Sequence, residues 1–408
     1  MEDEIQTYLI GLKYFTTGAW PYYGNYVVSP NDELLTQDPG ALQALLVGLP
    51  LKIWPDPLSP FLFLNLLSTA GFWFLGWTLS LRLPKLSPWF ILPWVLTLPW
   101  CLHYSTGTLN LSYSIAGACV FFTAFLESLP SLRLGWIPLP LANALMGFCL
   151  FWNAQLHRVW VLLPPFILAS LFLQWRRDRK ITPFLFTVLG TLPLLALMIP
   201  TFLLNDYHFH RDVSGLSFGF NLNNFLGIFT LLSRFLSLAS QELPRFLGLN
   251  TTERISFLSS QPLLFLPGAF LWIFGILQVV ILMGFWFDFR NPRPDWKFIR
   301  LLSGLSFLLI YTALLFTDKT LDVNHYYEML PVAVIYSLYV WERCWAFQAV
   351  RRFLWVFLSF GIIFQIGYVL VQAPRKESFY LKYREAIRQA IQSKDYEVLG
   401  KRWPGSLY

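Results

Sequence analysis

Long apolar runs separated by short polar connectors fill most of the chain and leave it few ways to fold. A run of about 20 apolar residues crosses a bilayer as a helix. Lipid offers backbone N–H and C=O groups no partner, so each must be satisfied within its own segment. Such runs lie near 60–81, 88–103, 111–128, 136–152, 157–175, 181–204, 262–287, 298–316, 326–346 and 353–372. Only 13% of the 408 residues are charged and 56% are hydrophobic, where a soluble domain carries ~25% charge. The sequence therefore predicts an all-α polytopic membrane protein with about ten transmembrane helices.

The connectors supply the orientation. Alternate loops hold Arg82 and Lys85; Arg133; Arg176, Arg177, Arg179 and Lys180; Arg290, Arg293, Lys297 and Arg300; and Arg343, Arg351 and Arg352. The short loops between them are nearly free of Lys and Arg: 104–110 has none and 317–325 only Lys319. By the positive-inside rule the basic loops face the cytoplasm. The net charge of +7 is thus a topology signal, and nucleic acid is not an expected partner. Residues 1–59, the long 205–261 loop and the 373–408 tail then lie outside, with 1–372 as the transmembrane domain. An outward start with no preceding span predicts a further transmembrane helix encoded upstream. The acidic start also lacks the basic stretch of a cleavable signal peptide. The expected location is the plasma (inner) membrane of a cell, among its lipids. Four cysteines (Cys101, Cys119, Cys149, Cys344) fall within or at the ends of apolar runs, too scattered for a metal motif.

Residues 1–59 are too polar to span a membrane, and two amphipathic surface helices can be read in them. Ile5, Tyr8, Leu9, Leu12 and Phe15 recur at helical spacing, with Asp3 at the N-cap and Gln6 as its capping-box partner. Asp38 followed by Pro39 opens a second helix in the same manner, with Ala41, Leu42, Leu45, Leu46 and Leu49 as its apolar side. Carboxylates cluster here: Glu2, Asp3, Glu4, Asp32, Glu33 and Asp38.

Asp3-Glu4, Tyr8 and Gly18-Ala19-Trp20-Pro21 resemble the first external loop of the GT-C membrane glycosyltransferases, a superfamily that includes the protein O-mannosyltransferases and the aminoarabinose transferases of lipid A. In that pattern an acidic pair opens a surface helix ending in a Gly-x-Trp turn, and a proline-opened helix follows. Asp38-Pro39-Gly40-Ala41-Leu42 takes the latter place, with one proline where two are common. His325-Tyr326-Tyr327-Glu328-Met329-Leu330-Pro331 is similar to the aromatic-then-Leu-Pro entry to a late span. The resemblance implies a GT-C-like bundle that moves a sugar from a polyprenyl-phosphate donor to a lipid, glycan or protein acceptor at the extracytoplasmic face. It identifies Asp3, with Glu4 beside it, as the base or charge stabiliser, and leaves a divalent metal open as cofactor.

The chemistry calls for cations where the lipid phosphate departs. His157-Arg158 at the outer end of two spans is the best pair, Arg158 offering a bidentate fork. His325 and Lys319 follow, also outside by topology. Asp38 is a further carboxylate candidate, read first as a solvated cap. Within 205–261, Phe225, Leu226, Phe229, Leu232, Phe235 and Leu236 form an apolar stripe expected to lie over the mouth of the site. His208-Phe209-His210 lacks companion metal ligands, and Gly215-Leu216-Ser217-Phe218-Gly219 lacks the strand and helix that a nucleophile elbow needs. From residue 374 a charged tail with Tyr380, Tyr383, Ile387 and Ile391 reads as a short surface helix. Span interiors nearly free of ionisable residues argue against a transporter. A non-catalytic scaffold or a flippase for lipid-linked glycans is the alternative to the transferase.

Overall fold

The computed structural model describes residues 2–27, 36–99, 101, 108, 110–204, 220–238, 240, 243, 251–288, 294–316, 327–372 and 379–397. Among these, seven helices are long and apolar enough to cross a membrane. They are α3 (Leu58–Arg82), α5 (Asn110–Ser128), α7 (Pro164–Asp178, with the 3-10 turn Arg158–Leu162 leading into it), α8 (Thr182–Leu204), α11 (Pro262–Trp286), α12 (Pro294–Leu315) and α14 (Gln348–Gln372). The chain is a membrane-embedded helical protein.

Three expected spans are shorter. They are α4 (Pro88–Leu96), α6 (Leu139–Ala154) and α13 (Leu330–Cys344). A helix of 16 residues, such as α6, reaches only about 24 Å at 1.5 Å per residue, less than the ~30 Å of bilayer hydrocarbon. The structural reason for α13 is its position: every residue but Arg343 is buried, so its length answers to protein neighbours and not to lipid.

The chain divides into two units. The first holds residues 1–71, 104–218 and 376–408, and so contains both chain ends. In it α1 (Glu2–Thr17) and α2 (Leu42–Ile53) pack together. They run parallel: Gln43 Nε2 donates to Thr7 Oγ1 at 3.2 Å, and Lys52 Nζ sits 3.7 Å over the Tyr14 ring. Gly48 allows the contact, since a Cβ there would lie 2.6 Å from Tyr14 Cδ1 and 2.9 Å from the Gly11 carbonyl. The tail forms α15 (Phe379–Ser393) and is no free surface helix. Ala386, Ile387, Ala390 and Ile391 are buried in one cluster with Tyr8, Leu9, Leu12, Val47 and Leu51.

Helices α6 and α8 cross closely in the same unit. A Cβ on Gly147 would strike the Thr187 carbonyl, and one on Gly190 the Ala144 carbonyl. Small residues at such a crossing let backbones approach where no hydrophobic force drives association. At the other side of α6, Asn143 and Gln174 exchange amide hydrogen bonds at 3.1 and 3.0 Å, and Ser170 Oγ joins Gln174 to Ser128.

The second unit holds residues 72–103 and 219–375. Aromatic contacts between α11 and α14 dominate it, among them Phe270 with Phe360 and Phe274 with Phe357. Tyr336 of α13 donates to the Leu282 carbonyl at 2.7 Å. Arg343 pairs with Asp288 at 2.6 Å and stacks on Trp296. The stripe expected in the 205–261 loop divides on α9 (Gly227–Ser237). Phe225, Leu226 and Phe229 are exposed, whereas Phe235 and Leu236 are buried with Leu231. Farther on, α10 (Thr251–Ser260) precedes α11.

Candidate functional site

Between α1 and α2 the chain makes an antiparallel hairpin of β1 (Tyr23–Val27) and β2 (Thr36–Pro39), an element the helical reading did not foresee. Tyr23 pairs with Pro39 and Tyr26 with Gln37, so Gly24 and Asn25 together oppose the single residue Asp38. This is a β-bulge, a device that redirects one side chain. The sequence dictates the extended backbone, because a residue before proline is pushed out of the helical region. Asp38 is therefore a strand residue and not the cap of α2. That helix starts at Leu42, and its N-cap residue, Ala41, makes no side-chain cap. Gly40, at φ +117, makes the turn between them.

Gln155 fixes this turn. Its Oε1 accepts from the Leu42 N–H at 3.3 Å and its Nε2 donates to the Leu194 carbonyl at 2.9 Å. A Cβ on Gly40 would collide with that amide. The Gly40 N–H bonds the Tyr22 carbonyl at 3.0 Å, which also accepts from Thr201 Oγ1. The hairpin is thus tied to α2, to the end of α6 and to α8.

Beyond Gln155 the chain leaves α6 and enters the 3-10 turn that begins at Arg158. His157 caps it, its Nδ1 accepting from the Val159 N–H at 3.2 Å. The turn presents Arg158 to the bulge, with Nε 3.9 Å from Asp38 Oδ1. Asp38 is only 6% exposed, so it is not the solvated residue expected. Burial pushes its carboxyl up to about 7, with Arg158 pulling it down by less. At 3.9 Å the guanidinium lies beyond hydrogen-bond range and offsets desolvation only in part. The arrangement is a buried carboxyl that gains and loses its proton near neutrality, facing a half-exposed cation.

Of the candidates read from the sequence, Asp38 and Arg158 come together, with His157 next to Arg158 in the chain. Helix α1 starts at Glu2, so Asp3 and Glu4 lie in its first turn, where carboxylates suit the helix dipole, and Asp3 is not at the cap. Their side chains lie outside the described residues. The Asp3 backbone is one turn before Thr7, which is bonded to Gln43 in the first turn of α2. His325 and Lys319 lie outside the described residues, as do His208, His210 and 215–219. Among the described residues no group of His, Cys, Asp and Glu is placed to hold a metal ion.

Gln155, Gly24 and Thr201 were missed. The Asp-Pro-Gly string was the signal for a turn here, and its proline for an extended Asp38.

Fold and site define the class: a membrane-embedded helical protein with a buried carboxyl facing a partly exposed guanidinium beside a bulged hairpin. No protein-family model, no curated protein and no solved structure matches the chain.

Proposed function

We propose that the protein is a membrane glycosyltransferase using a polyprenyl-phosphate-linked sugar, with Asp38 as the base and Arg158 as the phosphate-holding cation. The observation that supports this is the pair itself: a carboxyl raised to about 7 by burial beside an arginine 3.9 Å away. A general base acts best when its pKa lies near the working pH.

In this reading the Asp38 carboxylate takes the proton of an acceptor hydroxyl. The acceptor oxygen bonds to the anomeric carbon as the carbon–phosphate-oxygen bond breaks. The leaving phosphate keeps that electron pair and is held by the Arg158 fork. The sugar passes through an oxocarbenium-like state, which carboxylates nearby stabilise. Asp3 and Glu4 fit that second role, because parallel packing starts α1 and α2 at the same end. His157 stands next to Arg158 as a further donor for phosphate oxygens. The steps as written need no metal; a divalent ion, were one bound, would supply further charge neutralisation for the leaving phosphate.

The test is sugar transfer in proteoliposomes that hold the full chain and polyprenyl-phosphate-linked sugars. Asp38→Asn should lower turnover by about a hundredfold or more and leave donor binding in place. Undiminished transfer by Asp38→Asn would refute the base. Absence of transfer by the wild type from every donor tried would favour the scaffold or flippase reading.

A further inference from the structure

We infer that Asn153, in the last turn of α6, is the sugar-recognition residue of this site, its amide holding hydroxyls of the transferred glycosyl group. The inference rests on the transferase reading and names the part of the substrate that Asp38 and Arg158 do not hold.

Asn153 is wholly buried, and among the described residues neither its Nδ2 nor its Oδ1 has a hydrogen-bond partner. The rest of the same helix makes this exceptional. Asn143, also buried, has its amide fully engaged by Gln174 and the Leu139 carbonyl. Gln155, two residues past Asn153, uses both ends of its amide. The fold satisfies its neighbours and leaves this one bare, at the full desolvation cost of a donor and an acceptor.

Its place in the chain ties it to the site. The Asn153 backbone carbonyl accepts from the His157 N–H at 2.9 Å, so the residue is one turn before the His157–Arg158 pair. Across from it α5 carries Gly117, where a Cβ would sit 3.1 Å from Asn153 Oδ1 and 2.5 Å from Trp152 Cδ1. Trp152 is itself held, Nε1 donating to the Tyr113 carbonyl at 2.9 Å. In the first unit the Ser112 hydroxyl on α5 and Gln6 Oε1 on α1 are also buried without partners among the described residues.

A primary amide offers one donor group and one acceptor and no charge. That chemistry matches neighbouring sugar hydroxyls, which each give and take a hydrogen bond. A phosphate, which only accepts, would leave Oδ1 unpaired.

The experiment compares two probes in proteoliposomes: sugar-free polyprenyl phosphate and the same lipid bearing a hexose. Their affinities are measured for the wild type, Asn153→Leu and Asn153→Asp. Asn153→Leu replaces an unpaired amide by an apolar group of similar volume and should fold with an equal or higher Tm. It should lose about tenfold or more in affinity for the glycosylated lipid and bind the sugar-free lipid as the wild type does. Unchanged affinity for both probes would overturn the assignment and leave Asn153 a structural orphan. Should Asn153→Leu fail to fold, Asn153→Asp decides by the same ratio. The readout is binding, so it stands even where Asp38→Asn leaves transfer unchanged and the transferase reading itself fails.

Discussion

At the scale of single residues, the Asp38 carboxyl makes two pH predictions of opposite consequence. As a base it must be ionised, so turnover should rise with pH through about 7 and flatten above it. For stability the sign is reversed. The folded state holds the proton more tightly than the unfolded chain, whose carboxyl keeps its ordinary value of 3.8. The stabilisation is therefore complete below that value and is lost as pH rises through about 7. Thermal unfolding in detergent should then show the wild type weakening against Asp38→Asn across that window, by up to about 4 kcal/mol. Equal pH dependence for both proteins would contradict a buried, proton-holding Asp38. Arg158 makes a separate prediction. Arg158→Lys keeps the charge but not the fork, so donor KM should rise by about tenfold with the pH midpoint little changed. Arg158→Gln should raise KM further and move the midpoint up, since the cation opposing desolvation is gone.

Secondary elements meet in this fold where glycine removes a Cβ. The α6–α8 crossing is the clearest case, because the atoms opposite Gly147 and Gly190 are backbone carbonyls and cannot swing aside. Gly190→Val should cost about 3 kcal/mol, the upper end for overpacking, read as a lower Tm in detergent. Gly284→Val is the control, as nothing lies within 4 Å of a Cβ there. The turn into α2 is a second case: Gly40→Ala meets both a positive φ and the Gln155 amide. It should loosen the bulge that aims Asp38, so turnover falls before Tm does. Helix α15 belongs to this scale too, since its buried face completes the cluster over α1 and α2. Ile387→Ala should lower stability by about 2–4 kcal/mol, where an independent surface helix would be indifferent.

For the whole molecule the prediction concerns sidedness. All four native cysteines are buried, so introduced thiols can be read against a low background. Ala19→Cys, exposed after α1, should react with a membrane-impermeant maleimide in intact cells. Arg177→Cys, whose native side chain is 61% exposed, should react only after the membrane is opened. The same side for both would break the alternation drawn from the basic loops.

Much of this was legible in advance. The long runs at 60–81, 181–204 and 262–287 become α3, α8 and α11, because hydropathy over ~20 residues is a property of the segment alone. The run at 326–346 overreaches α13, since protein burial and lipid burial look alike in apolar sequence, and the run at 136–152 is displaced by two to three residues from α6. The stripe from Phe225 to Leu236 reads as one face and divides in two, because only packing against α11, α12 and α13 distinguishes its buried side. His157, Arg158 and Asp38 were found as residue types but not as a group. Local sequence makes Asp38 a solvated cap, because the pairing of β1 with β2 joins segments on either side of a loop.

By itself the sequence determined that the chain is membrane-embedded and helical, which elements are amphipathic and which residues are chemically able to act. Local hydropathy and side-chain chemistry suffice for that. Only the tertiary structure decided that Asp38, 120 positions from Arg158 in the chain, lies beside it and holds a proton near neutrality. Proximity and desolvation arise when distant segments exclude water together, and no stretch of sequence carries either one alone.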